Sequence, residues 1–83
     1  MSHFAENDFY IYYKAHSLVK FMKNTVAGHP DYLLFVNHCM DMSTKMMTGE
    51  DVSYYVEWFT EWFNTLSVFG IVWDEEEFEW YDK

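Results

Sequence analysis

Residues 50–83, EDVSYYVEWFTEWFNTLSVFGIVWDEEEFEWYDK, divide at Gly70. Before the glycine, Val52, Tyr55, Val56, Phe59, Trp62, Phe63, Leu66 and Phe69 recur at intervals of three and four. That spacing puts them on one broad apolar face and predicts a helix over 50–69. Thr48 or Asp51 supplies an N-terminal cap, and Gly70 a stop. After the glycine, Ile71-Val72-Trp73 reads as a short apolar connector that folds back on the rest. Asp74 followed three residues later by Glu77 has the form of a capping box with Asp in the Ser/Thr position. Phe78 and Tyr81 would then share one side of a final helical turn or two. An extended conformation suits the tail 71–83 equally well.

Working outward, Ile11, Ala15, Leu18, Met22 and Val26 lie at helical spacing, with Phe4 or Phe9 and Val19 widening the stripe. The pattern predicts a helix over 7–26, started by Asn7 or Asp8 and stopped by Ala27-Gly28. Pro30 suits the opening turn of a second helix over 31–47, which carries Tyr32, Phe35, Val36, Cys39, Met40 and Met46 or Met47. A buried strand at 32–36 competes there, because a short apolar run fits either period. The expectation is an all-α fold: one domain over 1–83, a small three-helix bundle joined by short connections and finished by a short acidic, aromatic C-terminal helix or extended tail.

A chain of 83 residues buries only roughly 60–65% of its unfolded surface, so its core needs reinforcement. Cys39 is the only cysteine, which rules out an internal disulfide. The 8 Phe, 7 Tyr and 4 Trp supply the reinforcement, since each ring can bury about 150–250 Å². That aromatic load also argues against a disordered acidic tail protein. The opening MSHFAENDFYIYY has neither a basic leader nor a continuous apolar run. No stretch reaches the roughly 18 apolar residues needed to span a bilayer. A soluble cytoplasmic protein is expected, with no affinity for anionic membrane surfaces.

Charge is distributed unevenly. Residues 1–49 hold four acids (Glu6, Asp8, Asp31, Asp41) and four lysines, whereas residues 50–83 hold ten acids against Lys83 alone. The net charge of −9 therefore belongs to the second part. Glu57 and Glu61 stand about 6 Å apart along one helix at ~1.5 Å per residue. Like charges so placed cost a few tenths of a kcal/mol, and no lysine lies between Lys45 and Lys83 to relieve them. By itself this pair reads as a plain solvated face before it reads as a binding row. In the tail, Asp74, Glu75, Glu76, Glu77, Glu79 and Asp82 are interleaved with Trp73, Phe78, Trp80 and Tyr81, and a solubility tail has no use for large rings.

Other chemistry is poorly served. His38 and Cys39 are neighbours about 100° apart on a helix, and paired zinc-ligand spacings are absent, so no metal site is expected, with or without Asp41 and His29. The Ca²⁺ loop pattern, phosphate loops and nucleophile elbows are missing. His16-Ser17 and His38-Cys39 are not how triads are assembled. The sequence therefore predicts neither an enzyme nor a cofactor. Met40, Met42, Met46 and Met47 read as core filling before they read as an adaptable binding surface.

The expected function is that of a small acidic interaction protein. Its partner would be the basic surface of a nucleic-acid-handling protein, which Lys and Arg equip to neutralise phosphates and so to attract ordered acids. In length and charge the chain resembles the small acidic inhibitors of phages and other mobile elements, some of which mimic DNA. The candidate contact residues are Glu57, Glu61, Asp74, Glu75, Glu76, Glu77, Glu79 and Asp82 for steering and pairing. Trp58, Trp73, Trp80 and Tyr81 would be apolar anchors. The alternative is a structural or assembly module, either a homodimeric bundle or a subunit that docks through its aromatic face.

Overall fold

The computed structural model describes residues 6–25 and 31–83. The expected stop at Ala27-Gly28, the placement of Pro30, and the parts assigned to Phe4, Val26 and His29 lie outside these residues. Three helices, α1 (Glu6–Thr25), α2 (Tyr32–Thr48) and α3 (Ser53–Val68), are followed by two strands, β1 (Ile71–Asp74) and β2 (Glu79–Asp82).

Each helix follows its apolar stripe. Ile11, Ala15, Leu18 and Met22 of α1 are buried, as are Phe35, Cys39 and Met42 of α2 and Tyr55, Phe59 and Phe63 of α3. Residues 32–36 are helical, so the competing strand is not formed. A run that could take either period is decided by the continuous 3.6-residue stripe it shares with Cys39 and Met42. Phe35 and Phe59 meet edge-to-face at 5.0 Å in the centre of the core, a favoured ring geometry.

The connection between α2 and α3 is a Schellman turn. Gly49 N–H donates to the Met46 carbonyl at 3.3 Å and Glu50 N–H to that of Lys45 at 2.8 Å. Gly49 has φ 77°, a conformation open to glycine at no steric cost. Asp51 assists the start of α3 by accepting from the Ser53 N–H at 3.1 Å and the Ser53 hydroxyl at 2.7 Å. Thr48 instead donates to the Glu50 carboxylate at 2.6 Å. No helix among the described residues is long and apolar enough to cross a membrane.

The all-α expectation is corrected at the C-terminus. Of the two forms expected for the tail 71–83, the helix is not found and the extended one is, as two strands paired in an antiparallel β-hairpin with register Ile71↔Asp82, Val72↔Tyr81, Trp73↔Trp80 and Asp74↔Glu79. Glu75 to Phe78 make a four-residue connection, one of the common hairpin lengths. Asp74 Oδ1 accepts from Glu76 N–H at 2.8 Å and Glu77 N–H at 3.1 Å. Its carbonyl accepts from Phe78 N–H at 2.9 Å. These are the bonds a helix cap makes, which is why Asp74…Glu77 reads as a capping box. Phe78 breaks the helix by taking φ 55°, uncommon for a bulky residue, and turns the chain into β2.

A lone two-stranded hairpin is marginal in water. Here it lies on the bundle, with β2 against α1 and β1 against α3. The residue that carries this docking is Trp80, 6% exposed and part of the core. Its indole N–H donates to the Lys14 carbonyl at 2.8 Å, and its ring lies 5.0 Å from Phe63.

Candidate functional site

The hairpin sorts the interleaved acids and rings by strand periodicity. Side chains alternate between faces, so Trp73 and its register partner Trp80 share the inner face, 5.4 Å apart. Asp74 and Glu79 share the outer one, as do Val72 and Tyr81. Glu75, Glu76, Glu77, Glu79, Tyr81 and Asp82 are exposed, while Asp74 is half-buried. Among the described residues no lysine lies within ion-pair distance of Glu76, Glu77, Glu79 or Asp82.

The N-terminal part of α1 buttresses the turn. Trp73 Nε1–H donates to the Tyr10 hydroxyl at 2.9 Å, and the Tyr10 hydroxyl in turn donates to the Glu75 carboxylate. Desolvation, reinforced by the bond to Glu75, raises the Tyr10 pKa. Tyr13 meets Trp73 and Phe78 edge-on at 6.0 and 6.3 Å. The Lys14 ammonium sits among four rings, 5.3 Å from Tyr10, 5.0 Å from Phe63, and 5.7 Å from each of Trp73 and Trp80. Desolvation there lowers the Lys14 pKa, and the Glu75 carboxylate pulls it back. Lys14 is thus a cation held inside the hairpin's own anchorage.

Tyr10, Tyr13 and Lys14 carry no assignment in the sequence reading, and Phe63 enters it only as part of the apolar face of 50–69. A signal for three of them is present in FYIYYK, residues 9–14, where Tyr10, Tyr13 and Lys14 recur at three and four residues beside the apolar stripe.

The acids of α3 are placed elsewhere. Glu57 and Glu61 are both exposed. Phe63 faces Trp80, and at about 100° per residue Glu61, two positions earlier, projects from the opposite side of α3. The structure therefore does not join Glu61 to the acids of the hairpin. Trp58 is half-buried, stacked at 3.7 Å and 9° on the His38 imidazole. His38 Nδ1 lies 2.9 Å from the Leu34 carbonyl, which can only accept, so this nitrogen carries the proton. In the neutral ring Nε2 then accepts from the Tyr54 hydroxyl at 3.2 Å.

These bonds commit His38 to the α2–α3 seam. Beside it, burial pushes the Cys39 thiol up to about 12, so it is a core side chain with almost no thiolate at neutral pH. Among the described residues, no three His, Cys, Asp or Glu side chains form a group that could hold a metal ion. Glu50 is held below the usual carboxylate range by the Thr48 hydroxyl and by Lys45, 3.5 Å away, and Asp51 by its bonds to Ser53. Both are tied to the α2–α3 turn.

Of the twelve candidate contact residues, Trp80 is enclosed by the fold, and Trp58, Trp73 and Asp74 are half-buried. The other eight (Glu57, Glu61, Glu75, Glu76, Glu77, Glu79, Tyr81 and Asp82) face solvent. Comparison of the chain with protein-family models, with curated proteins and with solved structures finds no match.

Proposed function

We propose that this protein is an acidic interaction module that inhibits a nucleic-acid-binding partner by offering its cationic surface a fixed, DNA-like row of carboxylates. The observation that supports this reading is the hairpin turn. Consecutive acids from Asp74 to Glu77 are held in one backbone conformation, and Asp74 faces Glu79 directly across the ladder. Like charges directly opposite each other destabilise a strand pair. A turn needed only to connect two strands has no reason to retain that cost, nor a phenylalanine at positive φ. With the backbone of the turn already fixed, meeting Lys and Arg orders side chains alone, and the anions steer encounter over a Debye length of about 10 Å at 0.1 M salt. In this reading Glu75, Glu76, Glu77, Glu79 and Asp82 make the charged contacts and Tyr81 the flat one. Trp73 and Trp80 hold the turn in place from below.

The test is capture of partners from the source cells with the wild type and with Glu75→Gln/Glu76→Gln/Glu77→Gln/Glu79→Gln. The expected partner binds nucleic acid, is displaced from it by the wild type in competition, and is released as salt rises. Equal capture by the neutralised variant, or affinity independent of salt, would overturn mimicry.

A second reading, a homodimeric or docking module, is favoured by a different surface. On the α1–α2 side, Leu33 (70%), Met40 (63%), Met47 (85%) and Phe9 (55%) are exposed. Sedimentation at micromolar concentration separates the readings. A dimer that dissociates on Met40→Glu/Met47→Glu, with acids irrelevant to partner capture, supports the second.

A further inference from the structure

Beside the start of α2, one side of α3 opens into a groove of about 530 Å³, lined among the described residues by Asp31, Trp58, Glu61, Trp62, Thr65, Leu66 and Phe69. Its volume falls within the range of small-ligand sites. Its walls are chemically specific. Trp58 and Trp62 stand 5.6 Å apart at 35°. Both rest on Phe35, at 5.9 and 5.0 Å, and Phe35 is fully buried. Trp58 is also packed on one side by its stack on His38, which lowers the cost of ordering that indole on binding. Two carboxylates border them, Glu61 from α3 and Asp31 at the start of α2. None of the lining residues is a cation.

We propose that this groove receives an arginine side chain of the basic partner. The inference rests on the reading of the protein as an inhibitor of a cationic surface, and it adds a second contact on a side of α3 turned away from the hairpin. Indole faces attract cations through the ring quadrupole, and tryptophan does so best. A guanidinium is planar and weakly hydrated, so it stacks on an indole while its N–H fork reaches a carboxylate. A lysine ammonium is a compact, strongly hydrated point charge and uses only half of that arrangement. Leu66 and Phe69 extend the groove for the aliphatic stem. The net charge of −9 supplies the long-range attraction.

The probe is the blocked tripeptide Gly-Arg-Gly, titrated at low salt and fixed pH into the ¹⁵N-labelled chain. The four indole N–H signals are assigned from single Trp→Phe variants. The signals of Trp58 and Trp62 are expected to move with the arginine peptide, less with the lysine peptide and not with the citrulline peptide, while those of Trp73 and Trp80 stay in place. Glu61→Gln is expected to weaken binding about two- to fivefold, in keeping with loss of one exposed charged contact. Equal movement of all four signals, equal response to citrulline, or indifference to Glu61→Gln would overturn the assignment.

The quadruple Gln variant of the hairpin separates this inference from the reading beneath it. If it keeps the arginine response but captures the partner as well as the wild type does, the groove stands and hairpin mimicry falls. If partner capture depends on the hairpin acids while Trp58 and Trp62 ignore arginine, mimicry stands and the groove assignment falls.

Discussion

Replacing Trp80 with alanine tests whether the acidic turn is held where the fold places it. The indole is 6% exposed, so nearly all of its surface leaves water on folding. A ring of this kind buries about 150–250 Å², worth ~4–6 kcal/mol at about 25 cal/mol per Å². Truncations of buried aromatic side chains cost about 3–5 kcal/mol, because the surroundings relax into part of the space. The bond from Trp80 Nε1–H to the Lys14 carbonyl contributes roughly 1 kcal/mol more. That carbonyl lies inside α1 and keeps its helical donor, so no acceptor is orphaned. A loss of about 4 kcal/mol is expected, against a total stability of ~4–12 kcal/mol at the usual 0.05–0.15 per residue.

The assay is urea unfolding followed by circular dichroism, with Trp80→Phe beside Trp80→Ala. Phenylalanine keeps most of the ring and should cost about 1–2 kcal/mol, chiefly through the lost N–H donor and the smaller area. A shift for Trp80→Ala below ~1 kcal/mol at unchanged m-value would refute the docking. The ordered carboxylate row would fall with it.

Three further outcomes are expected. Because the Tyr10 pKa is raised by desolvation and by its bond to Glu75, the stability it contributes is complete below the unfolded value of about 10 and is lost as pH climbs through the folded value. Melting temperatures between pH 8 and 11 should therefore fall at the alkaline end for the wild type and less for Tyr10→Phe. Lys14, lowered by desolvation, acts with the opposite sign in the window just below about 10.4. Gly49→Ala should cost about 1 kcal/mol in chemical denaturation, because Gly49 sits at φ 77° in the Schellman turn. Glu79→Lys exchanges the repulsive Asp74↔Glu79 pair for an attractive one and should stabilise the fold by roughly 0.2–1 kcal/mol while weakening capture of a basic partner.

The helices were legible because each buries a single stripe long enough to be unambiguous: Ile11 to Met22, Phe35 to Met42, and Tyr55 to Phe63. The hairpin was not, for a local reason. Asp74 takes the N–H groups of Glu76 and Glu77 as a helix cap would, and only the positive φ of Phe78 diverts the chain. No glycine or Asn-Gly marks the turn. The period-2 alternation Glu77-Phe78-Glu79-Trp80 is too short to weigh against a capping box. The candidate acids were visible as residues but not as surfaces. Sequence order places Glu61 and Asp74 on one acidic segment, whereas the rotation of α3 points Glu61 towards Asp31 and the α2 seam. The supports from α1 were hidden by distance, Tyr10 being 65 residues from Glu75.

The rings and the acids of the tail divide the work between them, and this division limits what the surface can be. Trp73, Trp80 and Phe78 are engaged by Tyr10, Tyr13, Phe63 and Lys14, so the tail's large apolar anchors are committed to its own bundle. Lys14, the cation that interacts with Glu75, is likewise sequestered among those rings. What remains outside is a set of carboxylates with two partly exposed rings, Tyr81 and the outer part of Phe78, and no neutralising lysine within ion-pair distance of Glu76, Glu77, Glu79 or Asp82 among the described residues. A partner that meets this face must bring the positive charge itself. Added salt should then act with two signs, relieving Asp74↔Glu79 repulsion within the fold while screening attraction to the partner.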